Sequence, residues 1–397
     1  MTVGDLVRHR AARRAVVVVL VLAAFGAGAA VGGRGGAASL AVQPSAPPAA
    51  GGVTIPPTSA PVPSRTRVGP ADASVDGATA LDDTGGAAPA APRAAPKAPV
   101  PTFSCPAAGR AVSTAQALEE ALRSAGPGDV IRLADGVYEG EFVATARGTA
   151  AAPIHLCGGR GAVLDAGSVT GGYILHFDGA EHWRVDGFTL RNGQKGVMVD
   201  SGRRIGLQDL LVEQIGDEAV HLRRGSTENV VRGLTIRGTG QRRDKFGEGV
   251  YVGTAESNWC DISGCEPDRS DGNFVLDNRI GPTTSEGVDI KEGTSGGVVA
   301  GNILDGSGLV AADSWVDVKG NGWLVLGNHG SRSPQDGFQT HVVEDGWGQG
   351  NVFRDNVADL AGGSGVGFYL HRDVPNTVAC DNRATGAAGG LSNRPCG

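Results

Sequence analysis

Short alternations of apolar and polar residues recur along the second half of the chain and keep one register. Seven segments show it: Val197-Met198-Val199-Asp200, Val220-His221-Leu222-Arg223, Val250-Tyr251-Val252-Gly253, Val288-Asp289-Ile290-Lys291, Val316-Asp317-Val318-Lys319, Phe338-Gln339-Thr340-His341 and Phe368-Tyr369-Leu370-His371. A forerunner lies at 173–177, and the segments follow one another at 22 to 38 residues, the longer intervals holding loop insertions. Alternate side chains of a β-strand face opposite ways, so the first and third residues point into a core. The second and fourth point outward, and stacked repeats align them into two columns. One column reads His221, Tyr251, Asp289, Asp317, Gln339 and Tyr369; the other reads Arg223, Gly253, Lys291, Lys319, His341 and His371. Repeats that each bury one face against the next predict a solenoid.

A second periodic column refines this. Asn278, Asn302, Asn328, Asn356 and Asn382 fall at one place in the later repeats, and Gly187, Asp209 and Gly233 fill the equivalent place upstream. These residue types tolerate left-handed backbone, so a tight corner is expected there in every coil. Short strands with such a corner predict an all-β fold, a right-handed parallel β-helix. The 65 glycines suit a chain rich in turns. Ahead of the coils, residues 113–122 read as a short amphipathic helix with a Ser/Thr cap. Placed there, it would cover the open strand edges at the start of the solenoid.

The first hundred residues differ in kind. Arg8, Arg10, Arg13 and Arg14 precede an apolar run over 15–31. That pattern predicts a signal peptide or a signal anchor over 1–31 and a protein secreted or tethered to the outer face of the cell membrane. Residues 32–101, rich in Ala, Pro and Gly, cannot bury a core and read as a disordered linker. The β-helix domain is then 102–397, expected as a monomer. It carries 26 Lys and Arg against 37 Asp and Glu, a net charge of −11, which argues against nucleic acid as a partner. All six cysteines lie in this exported part. Proximity favours the pairs Cys260–Cys265 and Cys380–Cys396, Cys105–Cys157 would then tie the entry strand to the first coil, and no Cys-x-x-Cys spacing points to a metal instead.

Several stretches resemble a known family. Pro127-Gly128-Asp129, Asp135-Gly136-Val137-Tyr138, Gly148-Thr149 and Pro153-Ile154 look like the opening coils of β-helical polysaccharide lyases of the chondroitinase B and alginate lyase group, within the broader pectate-lyase-like superfamily. Gly247-Glu248-Gly249-Val250 is similar to that group's Gly-Glu strand, and Ser285-Glu286-Gly287-Val288-Asp289 to its metal-ligand strand. The resemblance implies a Ca²⁺ ion held by Glu286 and Asp289, a lysine that removes a proton and an arginine that assists. The group's lysine lies several residues beyond the second acid, before a Ser; here Lys291 follows Asp289 by two, and Thr294-Ser295 occupy the later place.

The chemistry can also be read from the columns. Elimination across C4–C5 of a uronic acid removes a weakly acidic proton beside a carboxylate, which a divalent cation acidifies. Glu248, Glu286, Asp289 and Asp317 offer oxygen ligands from adjacent coils, which suits Ca²⁺. Lys291 and Lys319 stand in one column about 5 Å apart, a spacing that would push one toward the neutral form a base requires. Either could be the base, with Arg223 and His341 assisting catalysis. His221, Tyr251, His371, Tyr369, Arg242 and Trp347 are the candidates for binding an acidic polysaccharide; Trp259, in another inserted loop, is a further stacking candidate. A single Asp-x-Lys strand is more often a solvated charge ladder, but two in consecutive coils point to a site. The expectation is an extracellular lyase on a uronate polymer. The alternatives are a C5-epimerase or other carbohydrate-active enzyme on this scaffold, and a non-catalytic surface adhesin.

Overall fold

A computed structural model describes residues 102–397, which form a parallel β-solenoid. The expected signal or anchor segment and the linker lie outside the described residues. Among the described residues no helix is long and apolar enough to cross a membrane.

Three parallel sheets run the length of the solenoid. Sheet I has 11 strands from Arg110–Val112 to Thr377–Val378, sheet II has 10 from Gly136–Glu139 to Arg383–Thr385, and sheet III has nine from Phe142–Ala144 to Phe368–Tyr369. Sheet III carries the recurring segments in the register their pattern predicts. Val197, Val220, Val250, Val288, Val316, Phe338 and Phe368 are successive partners, as are His221, Tyr251, Asp289, Asp317, Gln339 and Tyr369. The inward residues form one continuous core, since Val220, Leu222, Val250, Val252, Val288, Ile290, Val316 and Val318 are all fully buried. Trp315 and Trp323 are buried with them. Phe338 stacks on Phe368 with ring centroids 5.0 Å apart, filling the core towards the last coil.

The asparagine column is present, but its physical basis is not a left-handed bend. The left-handed residues are Gly187, Asp209, Gly233, Asp277, Gly301, Gly327 and Asp355, each directly after a strand of sheet I. Each asparagine from Asn278 to Asn356 stands one residue later, so Gly187, Asp209 and Gly233 are one position out of line with it. The true upstream equivalents are Phe188, Leu210 and Leu234, all apolar and buried. From Asn278 onward the buried amides hydrogen-bond along the solenoid. Asn328 Nδ2 donates to Val299 O and to Asn356 Oδ1, both at 2.9 Å, while Asn328 Oδ1 accepts from Asn302 N at 2.9 Å and Asn302 Nδ2 at 2.8 Å. The column is a satisfied polar ladder inside the wall, which is how a buried amide avoids its desolvation cost.

The capping helix is Ala115–Ser124, with the Thr114 side chain accepting from Ala117 N at 3.2 Å. It buries Leu118, Ala121 and Leu122 over the first coils. The three disulfides are Cys105–Cys157, Cys260–Cys265 and Cys380–Cys396, the expected set.

Candidate active site

The outward face of sheet III holds three adjoining columns, set by the strand register. Two residues ahead of the inward residues Val197, Val220, Val250, Val288, Val316 and Phe338 stand Lys195, Glu218, Glu248, Glu286, Ser314 and Asp336. Beside them run the two columns read from the sequence. Glu248, Glu286 and Asp289 bring carboxylate oxygens within 4.8 Å of one another. Glu248 is 4% exposed, and its Oε2 has no hydrogen-bond partner. Burial and the nearby charges of Glu218, Asp289 and Glu286 drive the Glu248 carboxyl well above the usual carboxylate range. Burial, with Asp289, pushes Glu286 up to about 7, and the Ser285 hydroxyl donates to its Oε2 at 2.5 Å. Crowded carboxylates with an orphaned oxygen are the donor set a hard cation would satisfy, and an all-oxygen set fits Ca²⁺. Asp317 lies outside this group.

Asp289 also belongs to a second arrangement. Its Oδ2 lies 2.7 Å from Lys291 Nζ and its Oδ1 2.8 Å from Lys319 Nζ. Lys319 Nζ continues to Asp317 Oδ2 at 2.6 Å, and Asp317 Oδ1 pairs with His341 Nδ1 at 2.8 Å. The result is an alternating row, Lys291–Asp289–Lys319–Asp317–His341. Burial works against the charge of both lysines, but Asp289 together with Asp317 and Glu286 outweighs it and holds each above the usual ammonium range. This corrects the expectation that adjacent ammonium groups would drive one lysine towards neutrality: a carboxylate stands between them. Burial likewise opposes the Asp317 carboxylate, yet Lys319 and His341 hold it well below its ordinary value. The hydrogen bond that His341 donates to Asp317 raises His341 in turn.

Tyr251 and His221 flank the row. The His221 and Tyr251 rings meet edge-on at 4.5 Å, and Lys291 Nζ lies 5.0 Å from the Tyr251 ring centre. Burial, with the charge of Asp289, holds the Tyr251 phenol protonated. Burial and Lys195 keep His221 neutral, with its Nε2 2.9 Å from Gly253 O. Gly253 has φ +90°, and a Cβ there would strike Thr294 Cγ2 at 2.5 Å. The gap it leaves in the column is therefore enforced, and Lys291 lies beside it.

A solved alginate lyase from Paenibacillus sp. str. FPU-7 is similar to this chain at 35% identity, with a TM-score of 0.69, covering 72% of this chain and 98% of that one. The chain belongs to the β-helical polysaccharide lyases. More distant likenesses to this lyase are the pectate lyase Pel9A (16% identity, TM-score 0.45, 70% of this chain and 75% of that one) and a rhamnogalacturonan lyase (13%, 0.49, 68% and 80%). No protein-family model and no curated protein matches the lyase.

The remaining sequence candidates surround the row rather than join it. Arg223 Nε donates to Asp200 Oδ1 at 2.7 Å, and Asp200 also binds His176 at 2.9 Å. Arg242 and Arg243 are both held by Asp217. The Tyr369 ring lies 6.4 Å from His341, and the His371 backbone N–H donates to Thr340 Oγ1 at 2.9 Å. Trp347 is half-buried with the Arg269 guanidinium 5.7 Å from its ring. Trp259 is no stacking platform: it is 8% exposed and its Nε1 donates to Thr254 O at 2.9 Å. Lys195, which pairs with Glu218 behind His221, escaped the sequence reading. Its signal was present, since it precedes Val197 by the same two residues as Glu218 precedes Val220.

Proposed function

We propose that this lyase cleaves a uronate polymer of the alginate type by β-elimination, with Glu248, Glu286 and Asp289 holding a Ca²⁺ ion. The observation that carries the reading is the double use of Asp289, shared between the carboxylate group and the two lysines. The likeness to a protein described as an alginate lyase supports the choice of sugar. Such a cation, when bound, neutralises the substrate carboxylate and stabilises the anion left at C5.

Lys291 is the proposed base. It is paired with Asp289 alone, whereas Lys319 is paired with both Asp289 and Asp317 and serves to hold the row. Lys291 first gives up its own proton to solvent, a loss that a cation drawing on the Asp289 carboxylate would favour; its neutral Nζ then takes the C5 proton, the C4–C5 double bond forms and the C4–O bond breaks. His341, charged beside Asp317 and engaged through Nδ1, gives its Nε2 proton to the leaving oxygen. Tyr251, His221, Tyr369 and His371 line the polymer's path across the coils, with Arg223, Arg242 and Trp347 at its margins. The N-terminal Arg-rich and apolar stretch and the three disulfides support a secreted or membrane-tethered enzyme.

The test is to incubate the protein with alginate, pectate and glycosaminoglycans, with and without chelator, and follow the unsaturated-uronate absorbance. A rise on alginate that chelator abolishes is expected. Binding with no absorbance on any substrate would contradict elimination, and a changed epimer ratio without new double bonds would mark an epimerase.

A further inference from the structure

Sheet I, a different wall of the solenoid from the catalytic columns, carries a depression of about 280 Å³ lined by Phe103, Arg184, Arg204, Glu228, Val230 and Phe274 among others. Strand register builds it. Arg184, Gly206, Val230 and Phe274 are successive partners, and Gly206 leaves a gap in that column. A Cβ there would strike Phe103 Cε1 at 2.8 Å, so only glycine admits the ring. Phe103 is fixed in the gap by Gln208, whose Oε1 accepts from Phe103 N at 3.2 Å and whose Nε2 donates to Phe103 O at 2.8 Å. The Arg184 guanidinium lies 5.4 Å from the Phe103 ring centre. It donates through Nη1 alone, to Trp183 O at 3.3 Å and Arg204 O at 3.2 Å. Among the described residues no carboxylate pairs with Arg184 and no acceptor meets its Nε or Nη2. The acids of this face are engaged elsewhere. Glu228 is shared by Arg203 and Arg204 at 3.0 and 2.7 Å, Asp186 accepts from Gln208 Nε2 at 2.9 Å, and Asp277 lies 3.6 Å from Arg232.

We propose that this depression is a second, non-catalytic site that binds a uronate unit of an acidic polysaccharide, with the sugar carboxylate on the Nε–Nη2 edge of Arg184 and the ring against Phe103 and Phe274. That edge of a guanidinium grips a carboxylate through two parallel hydrogen bonds, and here it is open. Burial without a carboxylate partner holds Arg184 below its usual value, which an incoming anion would reverse. The lining fits a sugar. Phe103, Val230 and Phe274 offer apolar surface to the C–H faces of the ring, and Glu228 and Arg204 offer an acceptor and a donor to hydroxyls, the mix expected of a ligand pocket. The volume lies near the lower end of such pockets, which suits a short stretch of chain. The choice of a uronate rests on the reading of sheet III; the carboxylate and the ring are read from the depression itself. A polymer held here would stay at high local concentration for sheet III.

Calorimetric titration of the full chain carrying Lys291→Ala, which suppresses turnover, with an alginate tetrasaccharide tests this. Two binding events are expected, one of which Arg184→Gln weakens by at least about 10-fold, the scale of one charge-assisted pair. Phe103→Ala, at a residue outside every strand, should weaken the same event, and a neutral mannose tetrasaccharide should not fill it. A single event that both variants weaken would uphold this site and remove the uronate reading of sheet III. A single event that neither variant alters would overturn this site and leave sheet III as the binding face. Two events that neither variant alters, equal binding of the neutral sugar at this site, or no binding at all would each overturn the proposal.

Discussion

Asp289 reaches one coil along the solenoid to Lys319, with Oδ1 2.8 Å from Nζ, while its other oxygen holds Lys291 at 2.7 Å. The same carboxylate lies within 4.8 Å of the Glu248 and Glu286 oxygens. One side chain thus ties a group of acids that lacks positive charge to a pair of lysines that has it.

The two lysines are expected to separate on substitution. Lys291→Ala should lower kcat by about 10²–10⁴-fold, the range for loss of a general base, with little change in melting temperature. Lys319→Ala should instead destabilise the fold by about 3–5 kcal/mol, because it strips a buried partner from both Asp289 and Asp317. Rates and melts of both variants decide this, and equal mild losses of rate would remove the assignment of the base.

Calcium should act on stability as well as on rate. Added Ca²⁺ is expected to raise the melting temperature of the unaltered protein by mass action, and not that of Glu248→Gln. In chelator, Glu248→Gln should melt at or above the parent, since it replaces a buried, unpartnered carboxyl crowded by acids. A variant that melts well below the parent in chelator would contradict the reading of these residues as a cation site.

His341 titrates above its ordinary value because Asp317 accepts its hydrogen bond. For a group raised on folding, the stabilisation is complete below the unfolded value, about 6.5, and is lost as pH rises through the folded one. Asp317→Asn should bring the His341 titration down and flatten stability against pH across that window. NMR titration of the His341 ring checks the first, and melts at several pH values the second.

Within the wall, Asn328→Ala should cost about 2–5 kcal/mol, because Val299 O, Asn302 N and the Asn302 and Asn356 amides each lose a buried partner. Asn382→Ala, at the end of the ladder, should cost less. Chemical denaturation of the two variants compares them; equal costs would mean the ladder does not act as a unit.

What the sequence disclosed follows from this geometry. The period of two along sheet III and the spacing of the repeats determine which side chains stack, so the columns from His221 to Tyr369 and from Arg223 to His371 could be read before any coordinates. The asparagine column was visible for the same reason, but pattern cannot separate a side chain that bends the backbone from one that hydrogen-bonds behind it. It therefore joined the asparagines to Gly187, Asp209 and Gly233, which stand one position out of line, and gave the column the wrong cause. Adjacency alone likewise suggested that Lys291 and Lys319 repel each other. Only side-chain reach shows that Asp289 lies between them, and that Lys195, a lysine with no neighbour in its own strand pattern, neutralises Glu218 behind His221.

The most direct measurement is the initial rate of unsaturated-uronate absorbance from alginate with Ca²⁺ present, for the unaltered protein and for Asp289→Asn, with melting curves on both. Absorbance from the unaltered protein and a loss of at least about 100-fold in a still-folded Asp289→Asn are expected, since that change weakens two charge-assisted hydrogen bonds and the cation site together. No absorbance from the unaltered protein, or an undiminished rate in Asp289→Asn, would contradict the role assigned to this carboxylate.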